Sequence, residues 1–264
     1  MGMINDVWRY RQFIVSSIQS ELATRFVRSR LGGLWMVINP LAQVLMYALI
    51  LSAVLSAKLP GMEGTRFAYA IYLLAGILGW TLFAEVVERC SRVFIDNAEI
   101  MKKMVFPRIC LPLIVVGTAL LNNFFLFAAG FLVFMALGHT PGSNIVWLPV
   151  VVAVNLGLAA GLGLILGVFN VFVRDVGQMV GLALQYGFWF TPIVYMPAIL
   201  PENFQVLLRF NPLYWVVTGY QNILVFQGPP HWKGLFLVSA VAVLLLVSAL
   251  YLFRRAAPEM VDVL

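Results

Sequence analysis

The chain has 264 residues, of which 62% are hydrophobic and only 11% charged, and its formal net charge at pH 7 is +6. A soluble domain carries roughly 25% charged residues, so the composition excludes an ordinary soluble fold and indicates a protein whose solvent is lipid. In such a protein a positive balance marks the cytoplasmic side of the membrane rather than a nucleic-acid partner. The length suits a single transmembrane domain over residues 1–264.

The first thirty residues are too charged to cross a bilayer. Their apolar side chains nevertheless recur at helical spacing, at Val7, Ile14, Ile18, Leu22 and Phe26. This pattern predicts an amphipathic helix within residues 1–31 that lies in the membrane interface. A solvated cytoplasmic helix is the alternative.

Six later segments are apolar over the roughly 20 residues that a helix needs to cross a bilayer. They predict transmembrane helices at 34–57, 67–88, 109–137, 146–172, 177–200 and 234–253. Residues 201–233 are apolar but are interrupted by prolines and glycines, which predicts two re-entrant half-helices. Residues 254–264 are expected to form a tail. The predicted fold is an all-α membrane protein with five helices in 34–200, a re-entrant pair and a sixth helix.

The distribution of basic residues predicts the orientation. If the N-terminus lies inside, 13 of the 17 Lys and Arg residues fall on the cytoplasmic side. This bias places both termini in the cytoplasm. The charged stretch at 96–109 then lies on the inner face and residues 201–233 on the outer face.

Several kinds of chemistry are missing from the sequence. None of the predicted spans carries a charge near its centre, whereas membrane enzymes and proton-driven carriers place ionisable residues there. The sequence has no H-E-x-x-H or paired-cysteine metal motif, and none of its four lysines is followed by Ser or Thr as a P-loop requires. We therefore expect no metal or cofactor in this chain, and any energy for uphill transport must come from another chain.

Polar and aromatic residues within the apolar segments allow two interpretations. Asn122 and Asn123 either form interhelical hydrogen bonds or line a hydrated path for a hydroxyl-rich substrate. Tyr214 and Trp215 either belong to an interfacial aromatic belt or stack on sugar rings at a pore mouth. The stretch GLAAGLGLILG at 157–167 places glycines four residues apart, which predicts close helix packing within the protomer.

Three stretches resemble a known family. They are TRFVRSRLGGLWMVINPLAQVLMYALI (24–50), NAEIMKKMVFPRICLPL (97–113) and FWFTPIVYMPAILPENFQVLLRFNPLYWVVTGYQNIL (188–224). Together, and in this order, they resemble type-2 ABC transporter permeases. Among these the chain is most similar to the Wzm-type permeases, which export O-antigen or other cell-surface polysaccharides. Teichoic-acid and capsule exporters share much of the pattern.

The resemblance implies a homodimer in the bacterial inner membrane that binds two ABC ATPase subunits, which hold the ATP and Mg. Residues 96–109 would contain the coupling helix between helices 2 and 3, which docks in a cleft of the ATPase. In this interpretation apolar side chains fill a pocket and charged ones fix the orientation. The expected contact residues are Asp96, Asn97, Glu99, Ile100, Met101, Lys102, Lys103 and Met104.

The same resemblance leads to a hypothesis for the substrate path. Gln43 and Tyr47 of the first span, with Tyr214 and Trp215, are the expected contacts in the channel, and Asn211 and Pro212 are expected to shape the outer gate. Arg9, Arg11 and Arg28 are expected to attract the pyrophosphate of a lipid carrier at the inner leaflet. The alternatives are an ABC permease for drugs or lipids, a secondary transporter and a polytopic membrane enzyme.

Overall fold

The computed structural model describes residues 7–27, 68–103, 106–136, 138–140 and 142–263, with scattered positions between 34 and 46. The described residues form helices that are joined by connecting segments. The helices are α1 (Arg11–Val27), α2 (Ala68–Asp96), α3 (Ala98–Lys103), α4 (Cys110–Ala136), α5 (Leu148–Phe172), α6 (Asp175–Trp189), α7 (Glu202–Arg209), α8 (Pro212–Leu224) and α9 (Trp232–Val263). Two short 3-10 turns, Ser143–Trp147 and Pro197–Ile199, precede α5 and α7. The all-α class is therefore confirmed for the described part of the chain.

Within the described residues, 4 helices are long and apolar enough to cross a membrane. They are α2, α4, α5 with its preceding 3-10 turn, and α9, and they correspond to the predicted second, third, fourth and sixth spans. The first predicted span, 34–57, lies largely outside the described residues. The six-span arrangement therefore stays a prediction.

The fifth predicted span differs from the structure at its C-terminal end. The prediction continued to residue 200, but α6 ends at Trp189 after 15 residues, and turns follow. Pro192 explains the difference, because proline cannot donate its helical hydrogen bond and the residue before it avoids the helical conformation. In the next segment, two short helices, α7 and α8, occupy 202–224, as the proline and glycine pattern predicts.

Helix α2 is the central helix of the described bundle. Over its most apolar stretch 78% of the residues are buried within the chain, compared with 22% for α9. Helices α4, α5, α6 and α8 pack around α2. Among the described residues the other long helices are less buried than α2, so each leaves a side open to contact with lipid or protein.

Glycines on α5 allow its neighbours to approach closely. A Cβ added at Gly163 would lie 2.8 Å from Cβ of Cys90 on α2, and one added at Gly161 would lie 2.9 Å from Cβ of Leu245 on α9. The expectation that this glycine-rich stretch packs helices within the protomer is confirmed.

The variant Gly163→Leu is expected to lower the free energy of unfolding by about 1–3 kcal/mol, because the added side chain forces α5 away from α2. Thermal unfolding of the purified protein in detergent measures the effect. The matched control is Gly181→Leu on α6, because a Cβ at Gly181 has no neighbour within 4 Å among the described atoms. Equal melting temperatures for the two variants would contradict the close packing.

Candidate functional site

The charged segment after α2 forms the short helix α3. Only Asn97 separates the two helices, and hydrogen bonds cross this break: the Asn97 side chain donates to the carbonyl of Val93 at 2.8 Å, and the amide of Met101 donates to the carbonyl of Asn97 at 3.0 Å. These bonds fix the direction of α3 relative to α2. We call the two helices together the α2–α3 unit.

Helix α3 presents one charged, water-accessible side. Glu99 and Lys103 form an ion pair at 3.1 Å on the helix surface, and their side chains are 86% and 75% exposed. Asp96 and Lys102 are also exposed. Ile100 is 43% exposed, so an apolar side chain accompanies the charges. This combination of an apolar anchor and surrounding charges is typical of a protein–protein contact.

One predicted contact residue, Met101, is not part of that exposed surface. Met101 is only 6% exposed, because it packs into the chain's own core. Met104 lies outside the described residues. A contact between α3 and a partner therefore depends on Ile100 rather than Met101 for its apolar part.

The C-terminal part of α9 packs against α3. Residues 254–264 were expected to form a tail, but α9 continues to Val263 and contacts α3. Ala256 and Met260 are buried there, and the guanidinium of Arg108 donates to the carbonyl of Ala257. Phe253 stacks on Phe94 of α2 at 5.5 Å between ring centroids. The extension therefore belongs to the packed structure around α3.

A cleft of about 450 Å³ opens between α1 and the junction of α2 with α3. Phe13 and Glu21 of α1 line one side, and Asp96 and Ile100 line the other. The cleft continues the exposed surface of α3 towards the N-terminal helix. A partner seated on α3 would therefore also meet α1.

The opposite end of α2 holds the loop after α6. The Tyr69 hydroxyl donates to the carbonyl of Val194, and the Tyr72 hydroxyl donates to the carbonyl of Tyr195 at 3.1 Å. Because α2 has 29 residues, a helix of that length separates this end from α3 by about 43 Å. The two ends therefore lie far enough apart to face opposite sides of a membrane.

Asn211 and Pro212 shape the start of α8 at this far end. The Asn211 side chain accepts a hydrogen bond from the amide of Leu213 at 3.0 Å and donates to the Thr191 hydroxyl and the Phe190 carbonyl, both at 3.2 Å. The first contact caps α8, and the other two fix it to the end of α6. Pro212 occupies the first helical position, where its missing N–H costs nothing.

The two aromatic residues predicted to contact the substrate are both half-buried on α8. The indole N–H of Trp215 donates to the carbonyl of Arg209 at 3.0 Å, and its ring lies against Gly234 of α9. Tyr214 packs edge-on against Trp215 at 5.0 Å. Trp215 is thus held between α7, α8 and α9. The other predicted channel residues, Gln43 and Tyr47, lie outside the described residues.

The arginines predicted to attract a lipid headgroup belong to the N-terminal segment. Arg9 and Arg11 are exposed, and the Arg11 guanidinium lies 4.8 Å from the ring centroid of Trp8. Arg28 lies outside the described residues. The structure therefore leaves Arg9 and Arg11 accessible near the start of α1.

The amides inside the bundle form hydrogen bonds between neighbouring helices. Asn123 donates to the carbonyl of Leu78 at 2.9 Å and Asn155 to that of Gly79 at 2.8 Å, both on α2. Asn122 donates to the Glu85 carboxylate at 2.6 Å. All three amides are buried. The interhelical interpretation holds for these residues, and none of them lines an open path within the described structure.

Sequence reasoning missed one contact between α1 and the bundle. Glu21 of α1 forms an ion pair with Arg89 of α2. The available signal was the position of Glu21, which lies on the same face of α1 as Ile14 and Ile18. A carboxylate on a packing face indicates a partner on the neighbouring helix.

Long apolar helices and the amides that join them are the features of a multi-pass membrane protein, and a short charged helix is exposed at one end of the described bundle. The chain matches the family ABC-2 type transporter over residues 12–225, and it belongs to that family. It is therefore a transport subunit rather than an enzyme, and an ABC-2 permease works with an ATPase subunit.

Relatives cover nearly the whole chain. The chain is 29% identical over 262 residues to an O-antigen export system permease protein RfbA of Myxococcus xanthus, covering 98% of each chain. It is 27% identical over 252 residues to a protein of that name in Klebsiella pneumoniae, covering 95% of this chain and 94% of the relative. A polysialic acid transport protein KpsM of Escherichia coli is 23% identical over 203 residues, covering 75% of each chain.

Proposed function

We propose that this chain is the transmembrane subunit of an ATP-driven exporter that moves a lipid-linked polysaccharide of the O-antigen type across the bacterial inner membrane. The observation that carries the proposal is the similarity to an O-antigen export permease over 98% of both chains. The exposed helix α3 supports it, since it offers a surface on which an ATPase can act.

The distribution of basic residues supports the orientation. With α3 inside, 13 of the 17 Lys and Arg residues lie on the cytoplasmic side. In this orientation both termini are cytoplasmic, and the α7–α8 pair lies at the outer face as a gate. The ATPase binds ATP and Mg, and this chain holds neither.

In this mechanism the ATPase docks on the exposed part of α3. Ile100 enters an apolar pocket of the ATPase, while the surrounding charges fix the orientation. These charges belong to Asp96, Glu99, Lys102 and Lys103, and Asn97 joins α3 to α2. Closure of the ATPase on ATP then displaces α3 together with the inner end of α2.

The substrate path lies between two copies of the chain. A homodimer would cover the sides that the long helices leave open and enclose a channel. Gln43 and Tyr47 of the first span and Tyr214 at the outer end contact the glycan. Trp215 contributes the exposed part of its ring, and Asn211 and Pro212 hold the outer gate in place. Arg9, Arg11 and Arg28 attract the diphosphate of the lipid carrier.

A capsule-type glycan is the second candidate, because the chain is also similar to polysialic acid transport proteins. Teichoic acid, lipid and drug export are the remaining alternatives. In all of them the ATPase would act through α3. They differ in what disappears from the cell surface when the permease is absent.

Deletion of the gene in its own host tests the proposal. We expect the long-chain polysaccharide to disappear from the cell surface and to accumulate at the inner face of the membrane, and the wild-type gene to reverse both effects. Surface carbohydrate is measured by periodate labelling of intact cells, and the internal pool by the same labelling after lysis. Unchanged surface polysaccharide in the deletion strain would contradict polysaccharide export and favour lipid or drug export.

A further inference from the structure

A cluster of charged and polar side chains joins α1, α2 and α4 near α3. It consists of Glu21 from α1, Glu85 and Arg89 from α2, and Thr118 and Asn122 from α4. Arg89 forms ion pairs with Glu21 and, at 3.2 Å, with Glu85. The Thr118 hydroxyl lies 3.1 Å from the second carboxylate oxygen of Glu21, and the Asn122 amide donates to Glu85 at 2.6 Å. We call this group the Arg89 cluster.

Stability alone is a poor explanation for the Arg89 cluster. The side chains of Arg89, Glu21 and Glu85 are 22%, 29% and 26% exposed, and ion pairs that reach water contribute little to stability. Apolar contact already holds α1 against α4, where Ile18 packs on Gly117. Holding α1 in place therefore does not by itself account for three charged side chains at this end of the bundle.

Arg89 lies between α3 and the contact with α1. Arg89 lies seven residues before Asp96, the last residue of α2, which corresponds to about 10 Å along the helix. Because hydrogen bonds at Asn97 fix α3 to α2, a displacement of α3 moves the turn that carries Arg89. Arg89 holds Glu21, so the same displacement acts on α1.

We propose that Arg89 is a positioning residue that makes α1 move with the α2–α3 unit, so that a displacement of α3 is transmitted to α1. The inference rests on the proposed function, because it assumes that an ATPase moves α3. It deepens that function by assigning the transmission step to the ion pair between Glu21 and Arg89. Arg89 touches neither ATP nor the glycan.

The test separates binding of the ATPase from use of its energy. We expect Arg89→Ala to retain the ATPase on purification and to retain ATP hydrolysis by the complex in liposomes of host lipid. We divide the amount of surface polysaccharide in the complemented deletion strain by the ATP hydrolysis rate of the purified complex. This ratio is expected to fall about five- to tenfold, which corresponds to a modest coupling free energy. Arg89→Lys keeps the charge but not the two-pronged geometry, and is expected to recover at least part of the loss.

A charge exchange tests the pair itself. In a Glu85→Gln background, which removes repulsion from a carboxylate at position 89, the single changes Glu21→Arg and Arg89→Glu are each expected to lower export. Together they are expected to restore it towards the level of Glu85→Gln alone. Arg92→Ala is the matched control, because the Arg92 side chain is 48% exposed and, in the described structure, lies 4.0 Å from Glu88 on the same helix and donates to the carbonyl of Gly177 on α6 at 3.5 Å, so it contacts α6 rather than α1.

Two results would overturn the inference. One is wild-type export per ATP hydrolysed in Arg89→Ala. The other is a loss of export that follows the loss of assembled complex and that neither Arg89→Lys nor the charge exchange reverses, since this is the behaviour of a purely structural contact. Failure of the proposed function looks different, because the deletion strain would then keep its surface polysaccharide whatever the state of Arg89.

Discussion

The double variant Glu99→Arg/Ile100→Asp is expected to lose the ATPase subunit and, with it, ATP-driven export. Both side chains are exposed on α3, and Glu99 is paired only with Lys103 of the same helix in the described structure. Ile100→Asp places a charge where an apolar anchor would enter the partner, and Glu99→Arg reverses the charge beside it. Loss of two anchors at about 2 kcal/mol each weakens association by about a thousandfold.

The measurement is the amount of ATPase that co-purifies with the tagged permease from host membranes, determined by mass spectrometry. The matched control is Ile199→Asp/Glu202→Arg, which makes the same two changes at exposed residues near the far end of α2. The control is expected to retain the ATPase. Retention by the α3 variant as well would show that the ATPase binds elsewhere on the permease.

The long spans could be predicted because composition alone determines them. Helices α2, α4, α5 and α9 are continuous apolar stretches, and in lipid the backbone must satisfy its own hydrogen bonds, which a helix does. The interruption at 201–233 was also visible, since Pro201 and Pro212 stand at the starts of α7 and α8. In both cases one local property of the sequence is sufficient.

Helix ends that depend on packing were harder to predict. The sixth span was expected to end at 253, because Arg254 and Arg255 interrupt the apolar run. The helix continues because Ala256 and Met260 are buried. Met101 is also buried, in the core that α3 shares with α2 and α9. A helix of 6 residues is too short for its periodicity to show which side packs against the core.

The Arg89 cluster shows a similar limit. Glu21 and Arg89 are 68 positions apart, and no periodicity joins an interfacial helix to a span. The sequence shows the charges, whereas the structure shows which helices they connect. At the far end, the residue types of Tyr214 and Trp215 fit either a membrane belt or a pore mouth. Only the structure shows that Trp215 packs between helices, through its contacts with Arg209 and Gly234.

Met260→Asp is expected to release the C-terminal extension of α9 and thereby weaken ATPase binding, although residue 260 lies outside the exposed surface of α3. Met260 is 0% exposed, and burying an ionised carboxylate without a partner costs several kcal/mol even after the surroundings relax. The least costly response is local unfolding of the extension. Helix α3 would then lose its support from α9, while the apolar part of α9 stays in the membrane.

Two measurements on the same membranes check this expectation. Trypsin is expected to cut after Arg254 and Arg255 faster in the variant, because cleavage requires the helix to open locally, and less ATPase is expected to co-purify. Val263→Asp is the matched control, since Val263 is 50% exposed at the end of the same helix. Faster cleavage with full retention of the ATPase would show that α3 keeps its docking geometry without α9, and that its connection to α2 through Asn97 is sufficient.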